Sequence, residues 1–297
     1  MQEPESIQDT SVYEDLRPLM FSIAYRMVGS ASEAEDLVQE AFLRFHRETR
    51  AGKTIESPKA WLSTVTTRLA INHLESARVR RESYVGPWLP EPLVADRESV
   101  TSHAEMADSL SLAFLVVLES LNPVERAVFL LRDVFGYGFD EVAEMVDKTP
   151  DNCRQIAVRA RRQVEERRPR FETSRQKRFE IAERFFAAVA GGDLEGLVSM
   201  LAADAVAYTD GGGKARAVLD PVRGPESIAR MFQPTRVLES RLVDVNGQPG
   251  ALLFDKRGRP VVVVTMDIVD DEVQAVHVVS NPDKLTRLDS AVAGRET

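Results

Sequence analysis

The chain changes its hydrophobic period near residue 178, and this change constrains the fold more than any other feature. Before it, apolar residues recur every three or four positions, as in amphipathic helices. After it come two further helical segments, at residues 179–190 and 194–202, and then short β-prone runs separated by turn residues. The sequence therefore predicts an all-α part followed by an α+β domain with a curved antiparallel sheet. The expected strands cover residues 205–209, 236–245, 251–254, 261–269 and 273–279.

Length and composition predict a soluble protein of several domains. The 297 residues exceed one ordinary domain, and 43% of them are hydrophobic, which is enough for two or three packed cores. No apolar run approaches the roughly 20 residues of a membrane span, and the polar, acidic first ten residues are unlike a secretory signal. Cys153 is the only cysteine, so we expect a cytoplasmic protein with no disulfide, metal or cofactor.

Basic charge is concentrated in two stretches of an otherwise acidic chain. The formal net charge is −9, yet residues 59–81 carry five basic side chains against one acidic one. Residues 149–170 carry seven arginines against three acidic side chains. Attraction to phosphate acts over a Debye length of roughly 8 Å, so local charge matters more than the total. The pattern is typical of two DNA contacts, and equally of two solvated helix faces.

Breaks in the helical periodicity divide the chain into four parts. Two helices in residues 13–50 are separated by a Gly-Ser pair, with Ser32 as the expected N-cap of the second, and a third helix begins at Pro58. A proline-bearing stretch without helical periodicity follows, and it is expected to be an extended linker. The next helices are expected at residues 110–121 and 123–135, before a shorter pair. The expected parts are a first helical domain at 10–82, the linker at 83–107, a second helical domain at 108–172 and the α+β domain at 175–290.

Residues 139–162 have the pattern of a helix-turn-helix. Thr149 is the expected N-cap of the second helix and Pro150 its first residue, while Asp147 occupies a turn position where Gly is commonest. In such a motif the second helix enters the major groove, where Arg suits guanine edges and Gln suits adenine edges. The alternative is an ordinary helical hairpin. The expected buried stripe is Cys153, Ile156, Ala157 and Ala160, and the expected outward face is Asp151, Arg154, Gln155, Val158, Arg159 and Arg162.

Three long segments resemble one family of transcription proteins. YEDLRPLMFSIAYRMVGSASEAEDLVQEAFLRFHR and SPKAWLSTVTTRLAINHLESARVRR are similar to region two of extracytoplasmic-function sigma factors. LNPVERAVFLLRDVFGYGFDEVAEMVDKTPDNCRQIAVRARR is similar to their region four. The short motifs WLPEPL, DGGGK and NPDKL resemble the subgroup with a fused SnoaL-like domain of the NTF2-like fold. The resemblance implies two all-α domains, region two and a region four with its helix-turn-helix, followed by that α+β domain.

The resemblance implies a sigma factor that directs core RNA polymerase to promoter DNA. The residues matching the polymerase-binding helix of region two are Asp36, Gln39 and Glu40. The residues expected to contact the minus-ten element are Lys59, Arg68, Asn72, Arg78, Arg80 and Arg81. Those expected to contact the minus-thirty-five element are Thr149, Asp151, Arg154, Gln155, Val158, Arg159 and Arg162.

The resemblance also implies regulation within the chain. The C-terminal domain is expected to contact the sigma regions, so that no dedicated anti-sigma factor and no membrane partner is required. The regulatory residues are Trp88, Leu89, Pro90, Glu91, Pro92 and Leu93 in the linker, Asp210, Gly211, Gly212, Gly213 and Lys214 early in the domain, and Asn281, Pro282, Asp283, Lys284 and Leu285 near its end.

Two other functions compete with the sigma factor. One is a stand-alone DNA-binding regulator that uses only the helix-turn-helix. The other is a SnoaL-like enzyme, since pockets of this fold invite catalysis, although fold alone does not confer chemistry. Its candidate polar residues are Asp210, Lys214, His277, Asp283 and Lys284, but His277 lies in an alternating strand, where a satisfied core histidine is commoner. We therefore expect a protein that is not an enzyme.

Overall fold

The computed structural model describes residues 5–81, 84–95, 109–166, 173–233 and 239–288, with only the backbone described in 5–11 and 77–81. These residues fall into two compact units. One comprises those within Met1–Glu82 and Val117–Arg167, and the other those within Ser83–Val116 and Arg168–Thr297. No helix in the described part is long and apolar enough to cross a lipid bilayer.

Three helices form the first half of the first unit: α1 (Glu5–Val28), α2 (Ala31–Arg50) and α3 (Pro58–Arg81). The apolar stripes read from the sequence point inward, so that α1 and α2 pack against α3. The break between α1 and α2 is where predicted, but the predicted N-cap at Ser32 is wrong. Ser30 is the cap, because its extended backbone lets its hydroxyl accept from the Glu33 amide.

Four shorter helices follow among the described residues up to 166. The first is α4 (Leu112–Leu118). It is followed by α5 (Pro123–Phe129), which continues into a π-helical turn at Leu130–Val134. The predicted helices at 110–121 and 123–135 are therefore present. The first is shorter than predicted, and the second changes from α-helix to π-helix at Leu130. The helix pair expected next is α6 (Phe139–Val146) and α7 (Pro150–Glu165).

The second unit is an α+β domain, as predicted. Its helices are α8 (Arg175–Gly191), α9 (Leu194–Met200) and α10 (Pro225–Phe232). Its strands are β1 (Val94–Ala95), β2 (Leu201–Asp210), β3 (Val222–Arg223), β4 (Glu239–Val245), β5 (Gln248–Phe254), β6 (Pro260–Val269) and β7 (Glu272–Val279). The fold class predicted from the sequence is confirmed.

The sheet has the strand order β1-β4-β5-β6-β7-β2-β3, and the prediction of an antiparallel sheet is wrong at one pair. Strands β2 and β7 are parallel, because a long crossover rather than a tight turn joins them. The other pairs are antiparallel, and turns at 246–247 and 270–271 connect β4 to β5 and β6 to β7. All four turn residues have positive φ, as two-residue hairpin turns of this kind require.

Each face of this sheet is covered by a different part of the chain. The helices α8, α9 and α10 pack on one face with an aromatic centre at Phe185, Phe186 and Phe232. The other face is covered by Leu89 of the linker, Leu112 of α4 and Leu285 near the C-terminus, among others. Since successive residues of a strand point to opposite faces, neighbouring residues of β2 and β7 belong to different environments.

Candidate functional site

The turn between α6 and α7 has helix-turn-helix geometry. Asp147 ends α6 in the left-handed conformation, with φ 54° and ψ 54°, which explains why glycine is common at this position. Thr149 caps α7, its hydroxyl accepting from the Asn152 amide at 3.2 Å, and Pro150 is the first helical residue. The predicted cap and start of α7 are confirmed.

The helix α7 has a buried face and a polar, cationic outer face. Cys153, Ile156, Ala157 and Ala160 are at most 5% exposed, as predicted. Burial raises the pKa of the Cys153 thiol, as expected of a packing residue rather than a nucleophile. The outward residues predicted from the sequence are all exposed: Asp151, Arg154, Gln155, Val158, Arg159 and Arg162.

Two of the three outward arginines of α7 are held by neighbouring acids. Arg154 pairs with Asp151 and lies over the ring of Phe139, and Arg162 donates to Glu166 at 3.0 Å. Arg159 makes no hydrogen bond or ion pair with a described residue. Exposed pairs of this kind contribute little to stability, so these guanidinium groups can exchange their partners for phosphate or base edges at small cost.

The helix α3 packs directly against the helix-turn-helix. Arg68 donates to the carbonyl oxygens of Met145 at 3.0 Å and Glu144 at 2.6 Å, where the C-terminal end of α6 leaves carbonyls without helical partners. Ser63 and Tyr137 share a buried hydrogen bond of 2.8 Å. Asn72 lies beside Arg68 in a cleft of about 420 Å³ against the α6–α7 turn.

Further polar contacts connect the two halves of the first unit. Arg126 of α5 is 3% exposed and donates to the Met27 carbonyl at 2.6 Å and to Glu119 at 2.8 Å. Lys59 lies over the Tyr137 ring at 5.8 Å. The side chains of Arg78, Arg80 and Arg81, also predicted to contact DNA, lie outside the described residues.

The helix α2 presents a mixed acidic and apolar surface. Asp36 and Gln39 are exposed, and Glu40 is half-buried and paired with Arg44 at 2.7 Å. Leu43, one turn further along, is 45% exposed. An exposed leucine within an acidic helix face suits a protein partner with a basic rim and an apolar centre.

A buried carboxylate in the second unit joins the linker to the sheet. Asp210, at the end of β2, is fully buried and accepts hydrogen bonds from the Tyr84 hydroxyl at 2.5 Å and the Leu89 amide at 2.9 Å. Burial, with the hydrogen bond to Asp210, raises the pKa of the Tyr84 hydroxyl above its ordinary value, so that it stays a donor. The Gly212 amide adds a third hydrogen bond at 3.0 Å.

Lys284 completes this arrangement from the other end of the domain. Its ammonium lies 2.7 Å from Asp210 and also donates to the Leu89 carbonyl. It lies 4.3 Å from the centre of the Trp88 ring and 5.1 Å from that of Tyr84, so two aromatic faces contact the cation. We call these five residues (Tyr84, Trp88, Leu89, Asp210 and Lys284) the linker clip.

Close packing explains two glycines of the DGGGK motif. A Cβ on Gly211 would lie 2.5 Å from the Ala215 carbonyl oxygen. A Cβ on Gly212, which has φ +59°, would lie 2.2 Å from the side-chain nitrogen Nδ2 of Asn281. The two C-terminal motifs are therefore in contact, and Asn281 in turn donates to the Tyr84 hydroxyl at 2.8 Å.

Beyond the clip, the linker becomes part of the sheet. The strand β1 pairs with β4. The Leu93 amide donates to the Asn246 side-chain Oδ1 and the Asn246 amide donates to the Leu93 carbonyl, both at 2.8 Å. Asn246 also donates to the Leu110 carbonyl at 3.0 Å, where the chain approaches α4. Linker residues 89–92 are buried. The described part of the linker, residues 84–95, is thus held both at the clip and at β1.

Comparison with known proteins identifies the family. Residues 12–80 match sigma-70 region 2 and residues 111–164 match sigma-70 region 4. The chain is 35% identical to the extracytoplasmic-function RNA polymerase sigma factor SigJ of Mycobacterium tuberculosis, over 94% of this chain and 93% of that protein. The chain belongs to the extracytoplasmic-function sigma factors. The resemblance drawn from the sequence is confirmed, including the subgroup with a fused C-terminal domain.

Other relatives agree with this sigma-factor assignment. The probable sigma factor SigI of Mycobacterium tuberculosis is 31% identical over 94% of this chain and 95% of its own length. The crystal structure of SigJ superposes with a TM-score of 0.74 at 33% identity, covering 93% of this chain and 98% of that one. As a sigma factor the chain acts with core RNA polymerase in promoter-directed transcription initiation.

The structure of this sigma factor separates the predicted regulatory residues into two groups. Asp210, Lys284, Trp88 and Leu89 meet in the clip. Lys214 and Asp283 instead form an exposed pair at 2.5 Å. Sequence reasoning missed Tyr84, Asn246 and Arg126, which lie outside the quoted motifs or carry no periodic signal. The Asn-Gly pair at 246–247 is a turn signal in the sequence, and that signal does not indicate that Asn246 binds the linker.

The enzyme-like residues do not form one site. His277 is 3% exposed and bonds Asp267 at 2.8 Å, and its Nδ1 has no hydrogen-bond partner among the described residues. His277 stacks on Tyr208, on the sheet face that the linker covers. Asp210 is engaged in the clip. Within the described residues no cluster of His, Cys, Asp and Glu could hold a metal ion.

Proposed function

We propose that this sigma factor carries its own regulator: the C-terminal domain holds the linker, and release of the linker accompanies promoter-directed initiation. In this proposal α2 binds core polymerase, α3 reads the minus-ten element and α7 reads the minus-thirty-five element. The observation that carries the proposal is the linker clip, in which the buried ion pair of Asp210 and Lys284 makes three hydrogen bonds to Tyr84 and Leu89 of the linker.

The clip supports control because the linker has two competing places to lie. Sigma linkers of the family run through the polymerase cleft, whereas here residues 89–92 are buried on the C-terminal domain. One strip of chain cannot occupy both places. A domain tethered on the same chain acts at roughly millimolar effective concentration, so weak contacts suffice to keep the linker bound. A separate anti-sigma factor is then not required.

Contacts within the first unit support a resting state in which α3 is packed against the helix-turn-helix. Arg68 binds the carbonyls at the end of α6, and the same guanidinium is proposed to contact minus-ten DNA. These carbonyls lie at the turn that positions α7 for the minus-thirty-five element. Since Arg68 cannot serve both partners, α3 and the helix-turn-helix separate before both promoter elements are bound.

The geometry of the sheet supports a regulatory rather than catalytic C-terminal domain. A cavity on the helix side of the sheet is lined by Thr209 and Val278, whereas Asp210 and His277 are their neighbours in the strands and point to the opposite face. Asp210 and His277, two of the candidate polar residues of an enzyme, therefore do not reach that cavity.

Transcription with purified core polymerase tests the proposal. Fragmented genomic DNA from the source bacterium is transcribed with limiting core enzyme, and the transcripts are mapped by sequencing. The full chain is expected to start transcription at a defined set of sites. Lys284→Met is expected to increase initiation at the same sites about threefold or more, because releasing the linker removes a competing equilibrium.

Lys214→Met is the matched control, since it removes a lysine that pairs with Asp283 outside the clip. It is expected to behave as the wild type. Equal initiation by the wild type and Lys284→Met would contradict control through the clip, and absence of site-specific starts with the wild type would contradict the sigma-factor role.

A further inference from the structure

The second unit contains a cavity of about 460 Å³ that the sigma-factor role does not use. It lies between α10 and the ends of β2, β6 and β7, and its volume is within the range of small-molecule sites. Most of its wall is apolar. The apolar lining residues are Ala217, Val218, Val222, Met231, Phe232, Val262 and Val278.

The charges around this cavity have one sign. Arg216 and Arg230 are its only charged lining residues among those described, and both are exposed. Neither makes an ion pair or hydrogen bond with a described residue. Thr209 also lines the cavity, but its hydroxyl is occupied by the Val218 amide and carbonyl, at 2.8 and 2.7 Å. The cavity thus combines an apolar interior with two available guanidinium groups.

We infer that this cavity binds an amphipathic carboxylate, with an apolar body of roughly eight to twelve carbons in the interior and its carboxylate at Arg216 and Arg230. A guanidinium group binds a carboxylate through two parallel hydrogen bonds, which adds orientation to the charge attraction. The apolar wall favours a hydrocarbon body over a sugar or a nucleotide, because it offers few partners for their hydroxyl and amide groups.

This inference is independent of the linker clip and of polymerase. The test is isothermal titration of the full-length protein with decanoate as the probe and decanol as its neutral counterpart. Decanoate is expected to bind with a stoichiometry near one and a Kd on the order of 10 to 100 µM, given the ligand efficiency of small ligands. Decanol is expected to bind at least about tenfold more weakly, because it lacks the charge.

Variants assign the binding to the cavity. The double substitution Arg216→Gln and Arg230→Gln is expected to weaken decanoate binding about tenfold or more while leaving the circular dichroism spectrum unchanged, since both side chains are exposed. Arg184→Gln, an exposed arginine of α8 outside the cavity, is the control and is expected to bind as the wild type.

Three results would overturn the inference. They are the absence of decanoate binding to the wild-type protein, equal affinity for decanoate and decanol, and unchanged affinity in the double variant. Failure of transcription with core polymerase would leave these binding results as they stand.

Discussion

The Asp210 carboxylate accepts most of the hydrogen bonds that form the linker clip. It is fully buried, and Lys284 opposite it is 11% exposed. Burial of a charge is costly, and it is tolerated here because the ammonium and three hydrogen-bond donors replace water. Removing one partner of such a pair leaves an uncompensated charge, whereas removing one partner of an exposed pair leaves a solvated one.

Lys284→Met is expected to destabilise the second unit by about 3 kcal/mol, within the range for breaking a buried ion pair. Lys214→Met, which breaks an exposed pair, is expected to cost less than about 1 kcal/mol. The measurement is urea unfolding followed by Trp88 fluorescence, with Trp61→Phe in all variants so that one tryptophan reports. Equal losses in the two variants would contradict a buried role for Lys284.

Tyr84 makes the folding stability of the second unit depend on pH in the alkaline range. An unfolded tyrosine ionises near pH 10, and the folded environment raises the pKa of Tyr84 above that value. The folded chain therefore holds this proton more tightly, so the stabilisation is present in full below about pH 10 and is lost as pH rises further. Tyr84→Phe is expected to be less sensitive than the wild type between about pH 10 and 11.5, measured by urea unfolding. A steeper loss in Tyr84→Phe would contradict the assignment.

Sequence reasoning at the residue scale recovered the motifs but not their pairing. Asp210 and Lys284 were both named as regulatory, yet nothing in one sequence indicates that residues 74 positions apart form an ion pair. Tyr84 carried no signal, because a single tyrosine in a linker has no periodicity. The N-cap of α2 is Ser30 rather than the predicted Ser32, because the extended backbone of Ser30 brings its hydroxyl to the Glu33 amide, and the sequence alone does not show that conformation.

At the scale of elements, long periodic segments were predicted well and short ones poorly. The helix α7 was predicted with its cap, its first residue and both faces, since sixteen residues give several turns of evidence. The strands β1 and β3 have two residues each and were missed, because their structure depends on pairing with β4 and β2. The parallel pairing of β2 and β7 is likewise a property of the assembled sheet.

The outward face of α7 leads to a test of promoter reading. Gln155→Ala is expected to relax base preference at one position of the minus-thirty-five element by about 1–3 kcal/mol, since a base-edge contact is lost. Arg162→Ala, further along the helix, is expected to weaken binding to all promoters alike and to reduce the salt dependence. Holoenzyme binding to promoter variants at several salt concentrations distinguishes the two. A uniform loss in Gln155→Ala would contradict base reading by that residue.

At the scale of the whole molecule, the two sigma regions and an α+β domain share one chain. The sequence predicted this arrangement through the change of hydrophobic period and through family resemblance, but the limits of the four parts and the roles of the individual site residues stay predictions. The compact units join linker residues to the C-terminal domain and join the two sigma regions to each other. These contacts suggest an account in which core polymerase exchanges internal contacts for promoter contacts.

Promoter binding with and without core polymerase tests this account most directly. A labelled promoter duplex, taken from the mapped start sites, is titrated with the full chain alone and with the chain bound to core enzyme, at one salt concentration. The account predicts sequence-specific binding at least about 100-fold tighter with core polymerase, because the enzyme opens the contacts that occupy Arg68 and the linker. Equally tight, sequence-specific binding by the chain alone would contradict it.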